Sequence, residues 1–107
     1  MEFCKFEIVD GEIAVITFCR PPANALNIAS KDELAELFKS VNAREDISCV
    51  ILKSEGKGFM SGSDVKEFSA LTHETLDEVQ AADKRLFKAL GECKVPTIAA
   101  VHGYCLA

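Results

Sequence analysis

The residues whose types and spacing best suit a chemical role are 58–67, GFMSGSDVKE, where an apolar run is followed by a polar turn and then by a helical pattern. At a strand-to-helix turn, the first N–H groups of the helix have no partner within the helix, and the helix dipole favours an anion beside them. Gly62 and Ser63 are small enough for a ligand to approach the backbone, and Asp64 can brace the turn by accepting N–H bonds. In an enzyme, such donors stabilise an oxyanion that develops during the reaction. The same residues also fit a simpler interpretation, a capped helix with glycine for turn geometry.

Other reactive side chains near this turn have surroundings that favour structural roles. Ser61 lies in G-F-M-S-G and not in the G-x-S-x-G turn of a serine nucleophile, and no histidine is near it in sequence. His73 and His102 could pair with Ser61 only in space; His73 at a helix start is expected on the surface, and His102 at the end of an apolar strand is expected to be structural. Cys105 lies in an apolar turn without a charged neighbour that would activate its thiol, so packing is its expected role.

Two strands are predicted at the start of the chain. Residues 3–9 alternate between apolar and polar positions, which predicts a strand with one apolar face. Asp10-Gly11 is a hairpin signal, and residues 12–19 predict a second, more buried strand that pairs antiparallel with the first.

Two helices are predicted further along. Ser30 and Glu33 fit a capping box with Ser30 as N-cap, which opens a helix of about 12 residues. Thr72 or Thr75 opens a longer helix that ends near Gly91. Its expected apolar stripe consists of Leu76, Val79, Ala82, Leu86, Phe87 and Leu90.

Two more strands complete the pattern. Residues 47–54 form a continuous apolar run, and a strand reached through a helix is expected to be parallel and buried on both faces. Residues 95–101 predict another buried strand. Together these elements predict an α/β fold that holds the turn at 58–67 between a strand and a helix.

Three linked motifs stand at residues 20–27 (RPPANALN), 58–68 (GFMSGSDVKEF) and 95–107 (VPTIAAVHGYCLA). In this order and at this spacing they resemble the enoyl-CoA hydratase/isomerase (crotonase) family over nearly the whole chain. The family has an Arg-Pro…Asn-Ala-Leu loop, an F-x-A-G-x-D turn and a strand leading into a Gly-Tyr-x-Leu-Gly-Gly-Gly turn. The resemblance implies a crotonase-like spiral of ββα units, of which residues 1–107 would form the N-terminal portion.

The resemblance also implies roles for individual residues. Ser63 follows the glycine of the turn, and its backbone N–H would be a catalytic donor of the oxyanion hole. Pro22 and Ala23 match a loop that contacts coenzyme A, although this loop is one residue shorter than the usual form. The full set of implied substrate-binding residues is Pro22, Ala23, Ser61, Gly62, Asp64 and Val65. Ser61 stands where the family usually has alanine.

The resemblance places the rest of the catalytic machinery outside these residues. Ala107 matches the first glycine of the triplet, so the second oxyanion donor would follow it, and the glutamates of the hydratases lie further on. We therefore expect no catalysis by residues 1–107 alone. Hydration of a 2-enoyl thioester is the leading reaction; isomerisation, thioester hydrolysis and decarboxylation remain compatible. A non-catalytic crotonase-like binding or assembly module is the alternative from another class.

The composition of the chain limits the classes of molecule that it is expected to bind. The 107 residues carry a net charge of −5, which argues against a nucleic-acid surface. The N-terminus predicts no signal peptide, and no apolar stretch approaches the ~20 residues that span a bilayer. Five cysteines without C-x-x-C spacing favour reduced thiols, no metal site and a cytoplasmic location. The resemblance implies an acyl-CoA substrate, no cofactor apart from the coenzyme A of that substrate, and a homo-oligomeric (trimeric or hexameric) full-length protein.

Overall fold

An antiparallel hairpin opens the chain, as the sequence predicts. The computed structural model describes residues 1–68 and 72–106, without the side chain of Phe68. Strand β1 (Cys4–Val9) pairs with strand β2 (Ile13–Phe18). Asp10 and Gly11 join them with φ angles of 54° and 76°, the left-handed region that suits a tight hairpin turn.

A parallel extension of the hairpin completes the main sheet. Strand β4 (Cys49–Ser54) pairs parallel with β2, and strand β6 (Thr97–Ala99) pairs parallel with β4, which gives the order β1-β2-β4-β6. The predicted burial of the last two strands is wrong in part. Lys53 is exposed, and so is all of β6, including Ile98 at 52%. Strand β6 is an edge strand with nothing paired on its far side among the described residues, which accounts for its exposure but not for that of Lys53, because β4 is paired on both sides.

Helix α1 (Ile28–Asn42) begins earlier than predicted. Its N-cap is Asn27, whose side chain accepts the N–H of Ser30, while the Ser30 hydroxyl accepts the N–H of Asn27. The predicted Ser30 cap is therefore wrong, because Ser30 is the third helical residue of the real capping box. Glu33 has a different role: its carboxylate accepts the N–H groups of Glu2 and Phe3 and so ties the N-terminus to the helix.

Helix α2 (His73–Gly91) begins after Thr72, one of the two predicted caps, whose hydroxyl accepts the N–H of Thr75. Its buried positions are Val79, Ala82, Leu86 and Ala89. The predicted stripe is too wide, since Leu76 and Phe87 are 38% and 65% exposed. Helices α1 and α2 pack against each other, and their apolar faces share one core with the sheet; its members include Cys4, Ala14, Ile16, Phe18, Leu34, Leu37, Phe38, Val41, Val50 and Leu86.

A second, two-stranded sheet holds the turn of interest. Strand β3 (Ala25–Leu26) pairs parallel with strand β5 (Gly62–Ser63), and a 3₁₀ helix (Val65–Phe68) follows. The two motifs at 20–27 and 58–68 are therefore brought side by side, although thirty residues separate them in sequence. No helix in the described ranges is long and apolar enough to cross a membrane.

Candidate functional site

The backbone around Ser63 is extended and not helical. The Asp64 N–H donates to the Leu26 carbonyl at 2.9 Å, and the Ser61 N–H donates to the Asn24 carbonyl at 3.4 Å. Gly62 has a φ of 105°, which residues with a Cβ rarely adopt. The helix predicted after the turn is present but has only four residues, and Gly62 and Ser63 form strand β5 before it, so their N–H groups belong to a strand and not to a helix N-terminus.

Asp64 braces the turn from two sides, as its position in the sequence predicts. One carboxylate oxygen accepts the N–H of Lys66 at 3.0 Å, and the other lies 2.9 Å from the Arg20 guanidinium. The N–H of Lys66 and then Arg20 lower the pKa of Asp64 below its ordinary value, since both favour the ionised form. Arg20 also donates to the Ala25 carbonyl at 3.0 Å, so the brace joins the loop of the first motif to the turn of the second.

Asn24 is the second link between the two motifs. Its side chain accepts the Arg20 N–H at 2.8 Å and donates to the carbonyls of Glu55 and Gly58, at 2.6 and 2.9 Å. The residue is buried and has a φ of 55°, a left-handed conformation that asparagine tolerates better than most residues. One amide thus fixes the loop at 20–25 against the turn at 55–58.

A first cavity opens between this loop and the turn. Its volume is about 380 Å³, and we call it the loop cavity. It is lined by Arg20, Pro21, Pro22, Ala23, Ala25, Ser61, Ser63, Asp64, Val65 and Lys66. Six of the seven residues that the resemblance singled out therefore lie around one space; Gly62 is the one that does not line it.

A second cavity lies on the helix side of β5. It measures about 440 Å³, and we call it the apolar cavity. Its lining is Leu26, Lys31, Leu34, Phe38, Leu52, Met60, Gly62, Ser63, Asp83, Leu86, Phe87, Leu90 and Leu106. Among the residues that the structure describes, Ser63 alone lines both cavities.

An ion pair between a buried lysine, Lys31, and a partly exposed aspartate, Asp83 (38% exposed), forms the polar part of the apolar cavity. The Lys31 side chain is 1% exposed, and its ammonium lies 2.8 Å from the Asp83 carboxylate. The same ammonium donates to the Ser63 hydroxyl at 3.2 Å. Residues from α1, α2 and β5 therefore converge beside Ser63.

The remaining reactive side chains lie apart from these contacts. The His102 ring is exposed and forms a 2.7 Å hydrogen bond with the Gly56 carbonyl, which fits the predicted structural role but not the predicted burial of its strand. His73 is exposed at the start of α2, as expected. The chain has five free cysteines. Within residues 1–68 and 72–106, no three metal-ligating side chains form a group that could hold an ion.

Sequence reasoning missed Lys31, Asp83 and the full role of Asn24. A signal for Lys31 was present, because it precedes Leu34 by three residues and Phe38 by seven and so lies on the apolar face of α1. A charge on that face predicts either a buried partner or a ligand. Asp83 could not be paired with it from the sequence, since the contact depends on how α1 and α2 pack.

Comparison with known proteins shows the family of the chain. The sequence model of the enoyl-CoA hydratase/isomerase family matches residues 9–107. The chain is 37% identical over 95 residues to the (7aS)-7a-methyl-1,5-dioxo-2,3,5,6,7,7a-hexahydro-1H-indene-carboxyl-CoA hydrolase of Mycobacterium tuberculosis, covering 88% of this chain and 38% of that protein. It is 32% identical over 99 residues to a probable enoyl-CoA hydratase of Bacillus subtilis, covering 92% of this chain and 38% of the relative. The chain thus spans less than half the length of these relatives.

Solved structures give the same result for the fold. An enoyl-CoA hydratase of Mycobacterium smegmatis superposes with a TM-score of 0.89 at 30% identity, over 96% of this chain and 41% of that one. DspI of Pseudomonas aeruginosa superposes with a TM-score of 0.91 at 28% identity, over 98% of this chain and 40% of that one. The α/β crotonase fold inferred from three short motifs is confirmed, and the chain belongs to the enoyl-CoA hydratase/isomerase family.

Proposed function

We propose that the Ser63 N–H binds the carbonyl oxygen of a coenzyme A thioester. The observation that carries this proposal is the position of Ser63 between the loop cavity and the apolar cavity. A thioester carbonyl joins a polar carrier to an acyl chain, so a donor at the junction of a loop-lined space and an apolar space suits it. Coenzyme A would occupy the loop cavity beside Pro22 and Ala23, and the acyl chain would enter the apolar cavity.

The direction of the Ser63 N–H supports this role. The next N–H along the chain, that of Asp64, points to Leu26 of β3. Successive N–H groups of an extended segment point to opposite sides, so we infer from Asp64 that the Ser63 N–H points away from β3; this alternation ends at Gly62 (φ 105°), before Ser61. A donor fixed in this way stabilises charge that develops on the thioester oxygen, and losing one typically costs about 3 kcal/mol of transition-state stabilisation.

The end of the chain offers support for the second donor. The Phe59 N–H donates to the Tyr104 carbonyl, and the Leu106 N–H donates to the Met60 carbonyl, each at 2.9 Å. The segment that leads to the second donor in the family is thus hydrogen-bonded to the segment that leads to Ser63. These bonds would hold a backbone donor that follows this segment close to Ser63, which supports an oxyanion hole with two backbone donors.

Hydration of a 2-enoyl thioester is our leading reaction for the whole protein. The relative from Bacillus subtilis is named as a probable hydratase, and several other relatives carry the name enoyl-CoA hydratase. Hydrolysis is the second candidate, because the relative from Mycobacterium tuberculosis is named as a hydrolase. Both reactions would use the same donor on the thioester oxygen.

Titration calorimetry with coenzyme A and butyryl-CoA tests whether the two cavities form the binding site. We expect Ala23→Trp to abolish binding of both ligands, because the indole would fill the loop cavity. Ala29→Trp is the matched control, since Ala29 is an exposed residue of α1 that lines neither cavity. Equal binding by the two variants would contradict the proposed site.

A second assay separates binding from catalysis. The assay measures the absorbance of the conjugated thioester of a short 2-enoyl-CoA, which falls when the double bond is hydrated. We expect no turnover by the 107-residue chain, and so no loss of absorbance. Asp83, the carboxylate that lines the apolar cavity, forms an ion pair with Lys31, so we do not expect it to transfer protons. Without a general acid or base, an enzyme loses a rate enhancement of roughly 100- to 10,000-fold. Turnover proportional to the protein concentration would show that the chain holds more of the machinery than we propose.

A further inference from the structure

The side chain of Lys31 is buried at the wall of a mostly apolar cavity, while its partner Asp83 stays 38% exposed. The Lys31 side chain is 1% exposed, whereas the exposed fractions of Lys39 on the same helix and Lys88 on α2 are 57% and 77%. A charge is costly to remove from water, and a buried ion pair is often no more stable than an apolar pair of the same volume. A structural pair between the helices already exists on the surface, where Arg85 contacts Asp32 at 2.8 and 3.1 Å.

The hydrogen bonds of Lys31 leave room for a ligand. An ammonium has three N–H donors. Among the described residues, two acceptors face it: the Asp83 carboxylate at 2.8 Å and the Ser63 hydroxyl at 3.2 Å. The third N–H of the Lys31 ammonium is therefore available to a ligand in the apolar cavity. Because the Ser63 hydroxyl belongs to the same residue as the proposed N–H donor, a group bound by Lys31 would lie only a few atoms from the thioester.

We propose that Lys31 makes the apolar cavity selective for acyl groups that carry an uncharged oxygen acceptor, a keto or hydroxyl oxygen, close to the thioester. This inference rests on the proposed function above. Lys31 would donate its third N–H to that oxygen, while the rest of the acyl group contacts side chains such as Leu34 and Leu86. An acyl chain without an oxygen would leave this donor unsatisfied in an apolar space, which is unfavourable.

The charge balance of the pair decides between an uncharged oxygen and a carboxylate. Asp83 compensates the charge of Lys31, so the two together are close to neutral. A carboxylate on the ligand would meet the Asp83 carboxylate as well as the ammonium, and like charges in a confined space repel. An uncharged oxygen gains the hydrogen bond without this repulsion.

The test is titration calorimetry of the 107-residue chain with butyryl-CoA, 3-oxobutyryl-CoA and malonyl-CoA. We expect 3-oxobutyryl-CoA to bind about tenfold more tightly than butyryl-CoA, the effect of one hydrogen bond to a charged donor. Malonyl-CoA should bind no more tightly than butyryl-CoA. Lys31→Met, which keeps an unbranched side chain one atom shorter and removes the ammonium, should bind the first two ligands equally, whereas Lys39→Met should keep the preference.

A purely structural lysine would change stability but not the ratio of the two affinities, so this ratio separates the two roles. If Lys31→Met does not fold, Asp83→Asn serves instead: it leaves the ammonium uncompensated and should raise the affinity for malonyl-CoA relative to 3-oxobutyryl-CoA. Equal binding of butyryl-CoA and 3-oxobutyryl-CoA by the unmodified chain, or tightest binding of malonyl-CoA, would overturn the inference alone. Failure of all three thioesters to bind would overturn the proposed function and this inference with it.

Discussion

Gly62 sets the geometry of the turn through its backbone. Its φ of 105° is a conformation that residues with a Cβ rarely adopt, so the backbone path from Met60 into strand β5 depends on glycine. The residue is also buried and lines the apolar cavity. Any side chain at this position would therefore change both the backbone and the proposed ligand space.

We expect Gly62→Ala to lower the free energy of unfolding by about 1–3 kcal/mol, the usual cost of a residue held in a sparsely populated backbone region. Urea denaturation measures it. Gly91→Ala is the control: Gly91 is the last residue of α2, and a Cβ there meets no heavy atom within 4 Å. That variant should be as stable as the unmodified chain or slightly more stable, because alanine favours a helix. Equal effects of the two substitutions would show that the turn tolerates a side chain.

Asp64 makes stability depend on pH. Because its folded pKa is lowered, the ionised carboxylate stabilises the fold fully above the ordinary aspartate pKa of about 3.9, and this contribution is lost as the pH falls through the folded value. Asp64→Asn should therefore be less stable than the unmodified chain at pH 7, and the difference should shrink below about pH 4. Glu45→Gln, at an exposed position, should show no such trend. If the difference in free energy of unfolding between Asp64→Asn and the unmodified chain stays constant from pH 7 to pH 3, the ionised Asp64 does not stabilise the turn.

Loop and turn act as one unit because Asn24 connects them. Its amide contacts Arg20 on one side and Glu55 and Gly58 on the other. The small sheet of β3 and β5 has only two residues in each strand, so it depends on such contacts more than the main sheet does. The loop cavity exists only while this unit holds its shape.

Asn24→Ala should lower the free energy of unfolding by roughly 1–3 kcal/mol, because it leaves buried backbone groups unsatisfied, and it should weaken coenzyme A binding as well. Calorimetry and urea denaturation measure the two effects. Asn24→Gly separates strain from lost hydrogen bonds, since glycine accepts the φ of 55°. If the glycine variant matches the unmodified chain in both measurements, the amide contacts contribute nothing.

Some boundaries of the strands and helices can be predicted from the local sequence alone. The hairpin at Asp10-Gly11 and the cap at Thr72 follow from short-range signals and are confirmed. The start of α1 was predicted three residues late, because Ser30 can serve either as an N-cap or as the third residue of a capping box led by Asn27. The local pattern does not separate these options. The end of strand β3 at Leu26, which the sequence did not predict, makes Asn27 the N-cap.

The whole molecule combines a predictable framework with a site that depends on packing. Apolar runs and turn residues predicted the order of the four main-sheet strands and the two long helices, but not the short strands β3 and β5, and the three motifs predicted the fold. The exposure of Ile98 and Phe87 could not be predicted, because burial depends on which elements cover a face. The contact of Lys31 with Asp83 depends on the packing of two helices and was missed for the same reason.

The central claim is that the Ser63 N–H binds a thioester oxygen at the junction of two cavities. The most direct test is ¹H–¹⁵N NMR of the 107-residue chain with butyryl-CoA and with S-butyl-CoA, a thioether that lacks the carbonyl oxygen. We predict that the amide of Ala23, in the loop cavity, shifts with both ligands, while the Ser63 amide proton moves downfield with the thioester only. A Ser63 amide that does not respond, or that moves equally with both ligands, would contradict the account.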